Sequence, residues 1–255
     1  MATTTATFSA PGTYVLRVYA DDSVLTTAAD VTIVANTNER YYQSYGNPNL
    51  RGNILLENDR LVVQKLVIPP GAREGNHTHV GNRLWIQMTP GEWTSHADLA
   101  SVSRLDAGSV GWPSASDRAE SHERSINAGS NAIDLLWVTL KPYTGSALET
   151  EAMRDYRLVY PEIPGTVLLD NDEVAVQRFV VQPGAWEGVH AHPGNQLYVH
   201  VKGGTWAVRT GGRETVSESK TSSVGWYRAI PLSQQHQSGN VGDSPIDLLW
   251  ITLKR

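Results

Sequence analysis

The 255-residue sequence contains no cysteine. Disulfide scaffolds, cysteine-based zinc sites and thiol chemistry are therefore excluded, and any bound metal has to be held through nitrogen and oxygen. No apolar run approaches the length of a membrane span. Acidic residues outnumber basic ones, 26 to 21, and the basic residues form no stripe, which argues against nucleic acid as a partner. The opening MATTTATFSA has neither a basic nor an apolar region of the kind that marks a signal peptide, so none is expected there. Helical periodicity is scarce. Its best instance runs from Ser146 to Tyr156, where Ser146 reads as an N-cap and Glu149 completes a capping box. What is present is a series of short Val/Ile/Leu/Trp runs set between Gly, Pro, Asn and Asp clusters. That is the pattern of many short strands joined by turns, and it predicts an all-β chain.

Self-comparison supplies the organisation. LLENDRLVVQKLVIPPGAREGNHTHVGNRL, from Leu55, matches LLDNDEVAVQRFVVQPGAWEGVHAHPGNQL, from Leu168, at an offset of 113 residues. The offset carries His77 onto His190, His79 onto His192 and Trp93 onto Trp206. AIDLLWVTLK, from Ala132, matches PIDLLWITLK, from Pro245, at the same offset, and Gly111-Trp112 matches Gly225-Trp226 with one residue of slippage. The chain is thus a duplication of a unit of roughly 90 to 110 residues, a usual domain size. An eight-strand jelly roll is the natural closure for each unit, with the two units packed against each other. The expected division is residues 1–40, 41–145 and 146–255. Residues 1–40 read as two strands around a turn at Asp21-Asp22-Ser23. They resemble the last two strands of a PKD-type or other immunoglobulin-like domain, which implies an extracellular or periplasmic setting; without that origin the expectation is cytoplasmic. Physically, such a hairpin is suited to cover a sheet edge.

The second unit carries the more complete set of chemical groups. Pro183-Gly184 ends a strand; His190, His192 and Gln196 follow, then Gly203, and later His236 and Asn240. Two residues apart on a strand, His190 and His192 would share a face. This order resembles the cupin superfamily, with its G-x5-H-x-H-x3-E-x6-G motif and a later H-x3-N, over both units. The resemblance implies two tandem cupin jelly-roll barrels (a bicupin) preceded by a two-strand arm. It also implies a metal held in the second barrel by His190, His192, Gln196 and His236, with Gln196 standing where the family has glutamate. Such a set is neutral, leaves the charge of a divalent ion uncompensated, and favours Lewis-acid chemistry. Similar three-His, one-Gln cupins include manganese lyases acting on hydroxynitriles; Mn, Cu, Fe, Ni and Zn all suit imidazole. In the first unit His77, His79 and His122 form a second candidate site, with Arg83 at the third position. Guanidinium offers no lone pair. Arg83 either replaces the metal's charge, paired with a carboxylate such as Glu74, or turns away and leaves the histidines to bind metal.

Strand alternation places Gln196, Tyr198 and His200 on one face, which makes His200 a candidate general acid/base and Tyr198 a candidate donor to substrate; core packing is the alternative for both. Alternation puts Glu187 opposite the histidine rings unless a kink at Gly188 reorients it. Asn195 and Asn82 are expected to hold a tight turn. Trp93/Trp206, Trp112/Trp226 and Trp137/Trp250 recur and read as packing, whereas Trp186 is a candidate for a substrate entrance. The functional expectation is a metal-dependent enzyme of oxidoreductase (dioxygenase) or lyase type acting on a small oxygen-bearing substrate. It would be a monomer with pseudo-dimeric repeats or a homodimer. The alternatives are a non-catalytic metal-containing sugar- or carboxylate-binding or structural module, and a storage role, against which the retained histidines argue.

Overall fold

The computed structural model describes residues 12–21, 23–35, 50, 52–73, 82–95, 98–113, 125–141, 157–192, 195–227, 230 and 232–254. His77, His79 and His122, Glu74 and the expected helix from Ser146 to Tyr156 lie outside the described residues. Among the described residues no helix is long and apolar enough to cross a membrane.

The chain divides into two compact units, Met1–Tyr41 and Tyr42–Arg255. In the first, β1 (Gly12–Asp21) and β2 (Thr26–Ala35) form an antiparallel hairpin. Asp21 closes its turn by accepting hydrogen bonds from the Ser23 amide (2.7 Å) and the Thr26 hydroxyl (3.0 Å), and Arg17 pairs with Asp30 across the strands at 2.6 Å. Among the described residues of this unit β1 and β2 form a two-stranded sheet.

The second unit holds two eight-strand repeats. Repeat 1 comprises β3 (Asn53–Glu57), β4 (Leu61–Ile68), β5 (Arg83–Gln87), β6 (Gly91–Ser95), β7 (Asp98–Leu105), β8 (Val110–Gly111), β9 (Ser125–Asn127) and β10 (Ile133–Leu140). Repeat 2 comprises β11 (Thr166–Asp170), β12 (Val174–Val181), β13 (Gln196–Lys202), β14 (Gly204–Thr210), β15 (Arg213–Ser219), β16 (Val224–Tyr227), β17 (Gln237–Asn240) and β18 (Ile246–Leu253). Each repeat is a five-stranded sheet facing a three-stranded one. The orders are β3-β4-β10-β5-β8 with β7-β6-β9, and β11-β12-β18-β13-β16 with β15-β14-β17. The two orders are identical strand for strand. This is the jelly-roll layering that repeated short strands predict.

The central strands are buried on both faces, which explains their almost unbroken apolar runs. In β18, Leu249, Ile251 and Leu253 point to one side, and Ile246, Leu248 and Trp250 to the other. The first set joins Leu61, Val63, Leu84, Leu136 and Val138 of repeat 1 in a core shared by both repeats. The second set fills the interior of repeat 2 with Phe179, Val181 and Trp206. The outward faces of the five-stranded sheets therefore bury each other, while their inward faces line each barrel. Leu197, Val199 and Val201 of β13 belong to the shared core, so Gln196, Tyr198 and His200 face the barrel interior, as alternation predicts.

Buried polar side chains hold the turns. Asn240, fully buried at the end of β17, donates to the carbonyls of Val181 (2.9 Å) and Ser244 (2.8 Å) and accepts from the Gly242 amide (3.0 Å). Asn127 makes the matching three bonds in repeat 1, to Ile68, Asn131 and Gly129. The asparagine of the H-x3-N motif is thus a clamp between chain segments. The backbone carbonyls of Asn195 and Asn82 receive the amides of Leu253 and Leu140, which ties each of these turns to the last strand of its repeat.

Candidate metal centre

Three of the histidines singled out from the sequence meet inside repeat 2. His190 and His192 lie on no regular strand, in contrast to the expectation. Each makes an isolated antiparallel bridge, His190 with His236 and His192 with Ile230. The His190–His236 bridge, closed by amide-to-carbonyl bonds of 2.9 and 3.1 Å, sets two imidazoles side by side with centroids 4.3 Å apart. His192 stacks on His236, at 5.1 Å and an interplanar angle of 4°. One ring nitrogen from each of the three lies within 4.8 Å of the others.

The tautomers follow from the partners. His190 Nδ1 is 2.9 Å from the Gly188 carbonyl oxygen, which only accepts, so Nδ1 carries the proton and Nε2 is a bare lone pair. His192 Nδ1 is 2.6 Å from Gln196 Oε1, with the same consequence. His192 Nε2 then faces His236 Nε2 at 3.4 Å. Burial pushes His190 and His192 down to about 4 and lowers His236, so all three rings are neutral at pH 7. Neutral imidazoles with converging lone pairs need no deprotonation before binding a cation.

The resemblance placed Gln196 among the ligands. The structure gives its carboxamide two other partners: Oε1 accepts from His192, and Nε2 donates to Thr252 Oγ1 at 2.7 Å, across the β13–β18 pairing. Gln196 therefore stands behind His192, at the ring nitrogen opposite the one that faces His236.

Glu187 enters from the other side. Gly188 has φ of 79°, and this left-handed step breaks the alternation that would have sent Glu187 away from the rings. A side chain at 188 would also run into Pro161, 3.0 Å from the position of its Cβ. Glu187 is only 1 % exposed. Its Oε2 lies 3.9 Å from His190 Nε2, and neither atom has a hydrogen-bond partner. Burial raises the carboxyl to about 7, against the lowering effect of the Ser238 and Tyr160 hydroxyls. Tyr160 in turn accepts from Trp250 Nε1 at 2.6 Å.

A cavity of about 770 Å³ adjoins the cluster, bordered by His192, His236, Tyr198, Tyr227, His200 and Trp250 among others. Tyr227 stacks on His192 at 5.5 Å and 12°. Tyr198 lies across Gly225 of β16, where a Cβ would sit 2.2 Å from the phenolic oxygen, so only glycine admits the ring there. Burial raises the Tyr198 pKa. His200, the expected acid/base, has both nitrogens engaged. Trp206 Nε1, a donor only, donates to Nε2 at 3.0 Å, which leaves Nδ1 to donate to Ser223 Oγ at 3.1 Å. Burial lowers it to about 4. Trp186, the expected entrance residue, packs on Gly239 beneath the Arg209 guanidinium, 3.6 Å from the ring centroid, and is not in the cavity wall.

In repeat 1, Arg83 does not turn away from the interior. It is 2 % exposed, with its guanidinium 5.4 Å from the Trp137 ring, the counterpart of Trp250. Sequence reasoning gave Tyr160, Ser238 and Tyr227 no role; they are brought in by chain crossings that leave no local pattern.

No protein-family model and no curated protein matches the chain. Solved structures do. AerE of Microcystis aeruginosa is 12 % identical, with a TM-score of 0.54 over 85 % of this chain and 98 % of its own. A tryptophan variant of oxalate decarboxylase from Bacillus subtilis is 15 % identical, with a TM-score of 0.50 over 79 % of this chain and 72 % of its own. The Escherichia coli protein Ylba is 12 % identical, with a TM-score of 0.50 over 81 % and 83 %. These likenesses are of fold.

Proposed function

We propose, from the premise that the chain is a cupin of two tandem barrels, that repeat 2 binds one divalent transition metal through His190, His192 and His236 and acts on a small oxygen-bearing molecule. One observation carries the reading: three neutral imidazoles bring ring nitrogens within 4.8 Å of one another beside a cavity of about 770 Å³. The fit to a cation is physical. His190 Nε2 is a buried lone pair without a partner, and two further ring nitrogens face each other at 3.4 Å. Unfilled, that arrangement is electrostatically poor; a cation between the rings satisfies all of it.

A bound ion would supply Lewis-acid or redox chemistry, of lyase or oxidoreductase type, at a substrate oxygen. The protein's own groups would do the rest. Trp250, Tyr198 and Tyr227 wall the cavity with aromatic surface and limit water around the substrate. The Tyr198 hydroxyl keeps its proton at neutral pH and is a donor for a substrate oxygen. Nothing in the set selects among Mn, Fe, Ni, Cu and Zn.

One observation favours a second reading, a metal-containing module that binds sugars or carboxylates without turnover: His200, the expected proton carrier, is fully engaged in hydrogen bonds. The test begins with elemental analysis of the purified chain and of His236→Ala. Equal metal in both removes the site. Stripping with a chelator and restoring single ions, against a panel of small hydroxy, keto and carboxy compounds, then separates the readings. An enzyme regains turnover with one or two ions, whereas a structural site recovers melting temperature alone.

A further inference from the structure

We infer that Glu187, three residues before the first histidine, is the carboxylate ligand of the centre, and that Gln196 holds His192 from behind instead of ligating. The inference rests on the metal reading above and assigns the charge of the site.

Four observations converge. First, Glu187 Oε2 and His190 Nε2 are both buried, both without a partner, and 3.9 Å apart. Two ligands about 2.1 Å from a tetrahedral ion are separated by about 3.4 Å, so a small closing movement lets Glu187 and His190 share one cation; the carboxyl lies outside the 4.8 Å group that the three rings form, and binding the ion has to draw it toward His192 and His236 as well. A carboxylate oxygen buried without a donor is costly, and a cation is the partner that removes the cost. Second, the Gln196 amide is already bonded at both ends, to His192 and Thr252. Its bond to His192 Nδ1 fixes the proton there and directs Nε2 to the centre, the service that outer partners of metal-bound histidines perform. Third, the route by which Glu187 arrives is built in. Gly188 takes a left-handed φ of 79° beside Pro161, and the Ser238 and Tyr160 hydroxyls bond the carboxyl group. Fourth, three imidazoles and a carboxamide would leave a divalent ion with its full charge inside the barrel. Glu187 reduces that charge by one, which is the role a carboxylate at position 196 would otherwise fill.

The test is a titration of the metal-stripped full-length chain with Co(II), read by visible absorption and by melting. The variants are Glu187→Gln, Glu187→Asp, Gln196→Ala and His236→Ala. Wild type is expected to take up one Co(II), and His236→Ala to lose it; failure of either result defeats the metal reading itself and this inference with it. With that reading intact, Glu187→Gln is expected to weaken Co(II) binding by about a hundredfold or more and to change the visible spectrum, with partial recovery in Glu187→Asp. Gln196→Ala is expected to weaken binding about tenfold to a hundredfold with the spectrum unchanged. The melting data carry a second signature that needs no metal affinity. In the stripped chain at pH 8, Glu187→Gln melts higher than wild type, because it removes a buried negative charge, one of whose oxygens has no donor; with Co(II) present the order reverses. A merely structural Glu187 lowers the melting temperature in both states, and that result overturns the proposal. So does a spectrum that responds to Gln196→Ala and not to Glu187→Gln.

Discussion

The two barrels are the same scaffold with different interiors. The strand orders coincide, and so do the ties between strands. Lys65–Asp134 (2.6 Å) in repeat 1 stands where Arg178–Asp247 (2.5 Å) stands in repeat 2. Lys141–Glu57 answers to Lys254–Asp170, and the Asn127 clamp to Asn240. Trp85 lies over Gly111 as Tyr198 lies over Gly225. Among the described residues the two interiors differ along the inward row of the third strand, beginning at its first position. Repeat 2 has Gln196, bonded to an imidazole and to Thr252; repeat 1 has Arg83, a buried cation over Trp137. A guanidinium offers no lone pair to a metal ion. Across the duplication the strand order and its ties are kept, while the residue at this position is not.

The comparison makes its largest claim about stoichiometry. The purified chain is expected to hold one metal, in repeat 2, with His236→Ala retaining less than about one-half of it and usually far less. Arg83→Gln removes the cation of repeat 1 and is expected to raise uptake toward a second equivalent, through His77, His79 and His122. Two equivalents in the unmodified chain, measured by elemental analysis, would erase the contrast.

A second expectation concerns what the barrels share. Leu249→Ala and Leu136→Ala each open a hole in the core between repeats, and each is expected to cost about 2–5 kcal/mol in denaturant unfolding. The asparagine clamps come next. Asn240→Ala and Asn127→Ala each leave two carbonyls and an amide without a partner, for about 3 kcal/mol apiece. Unequal losses within either pair would show that the repeats differ in scaffold as well as in site.

Much of this was legible in the sequence, for physical reasons. The duplication, the eight-strand unit and the inward row of Gln196, Tyr198 and His200 all follow from the period of two and from matched apolar runs, which report burial directly. His190, His192 and His236 came from the resemblance to the cupin motifs. Their partners did not. Glu187 turned on one backbone angle: alternation counts residues, and the Gly188 kink named from the sequence as the exception is the conformation found. The glycine itself was the available signal. Gln196 stands at a ligand position by motif, but its hydrogen bonds depend on Thr252, 56 residues away in the chain. Tyr160 and Ser238 reach the site only through tertiary packing.

Acidity sharpens the contrast further, since the described histidines all belong to repeat 2. His190, His192 and His200 sit near 4 in the folded, metal-free chain, by burial, and titrate near 6.5 once unfolded. Between these values the unfolded chain binds more protons, so stability rises with pH. Glu187 works the other way: raised from 4.5 to about 7, it favours the folded state at low pH and loses that contribution as pH climbs toward 7. Three histidines against one glutamate, with His236 lowered in the same direction, leave a net excess of at least about two protons on the unfolded chain. The stripped protein is therefore expected to gain melting temperature from pH 4.5 to 6.5 and to level off above that. A flat profile would mean that the rings are not buried as neutral groups.

The smallest expected effect is the most pointed test of how the repeats correspond. The counterpart of His200 is Gln87, and it does the same work. Trp93 Nε1 donates to Gln87 Oε1 at 3.2 Å, as Trp206 Nε1 donates to His200 Nε2 at 3.0 Å. If His200 is an acceptor for a buried indole, His200→Gln borrows a solution that the other barrel already uses. It should then change stability by about 1 kcal/mol or less, within the range of a single exchanged hydrogen bond, and leave metal uptake intact. Turnover, measured on whatever compound the metal-restored chain converts, should stay within a few-fold. A general acid/base is worth about 10²- to 10⁴-fold in rate, and glutamine cannot transfer a proton in its place. A loss of that size with stability unchanged would return His200 to the chemistry and confine its likeness to Gln87 to packing alone.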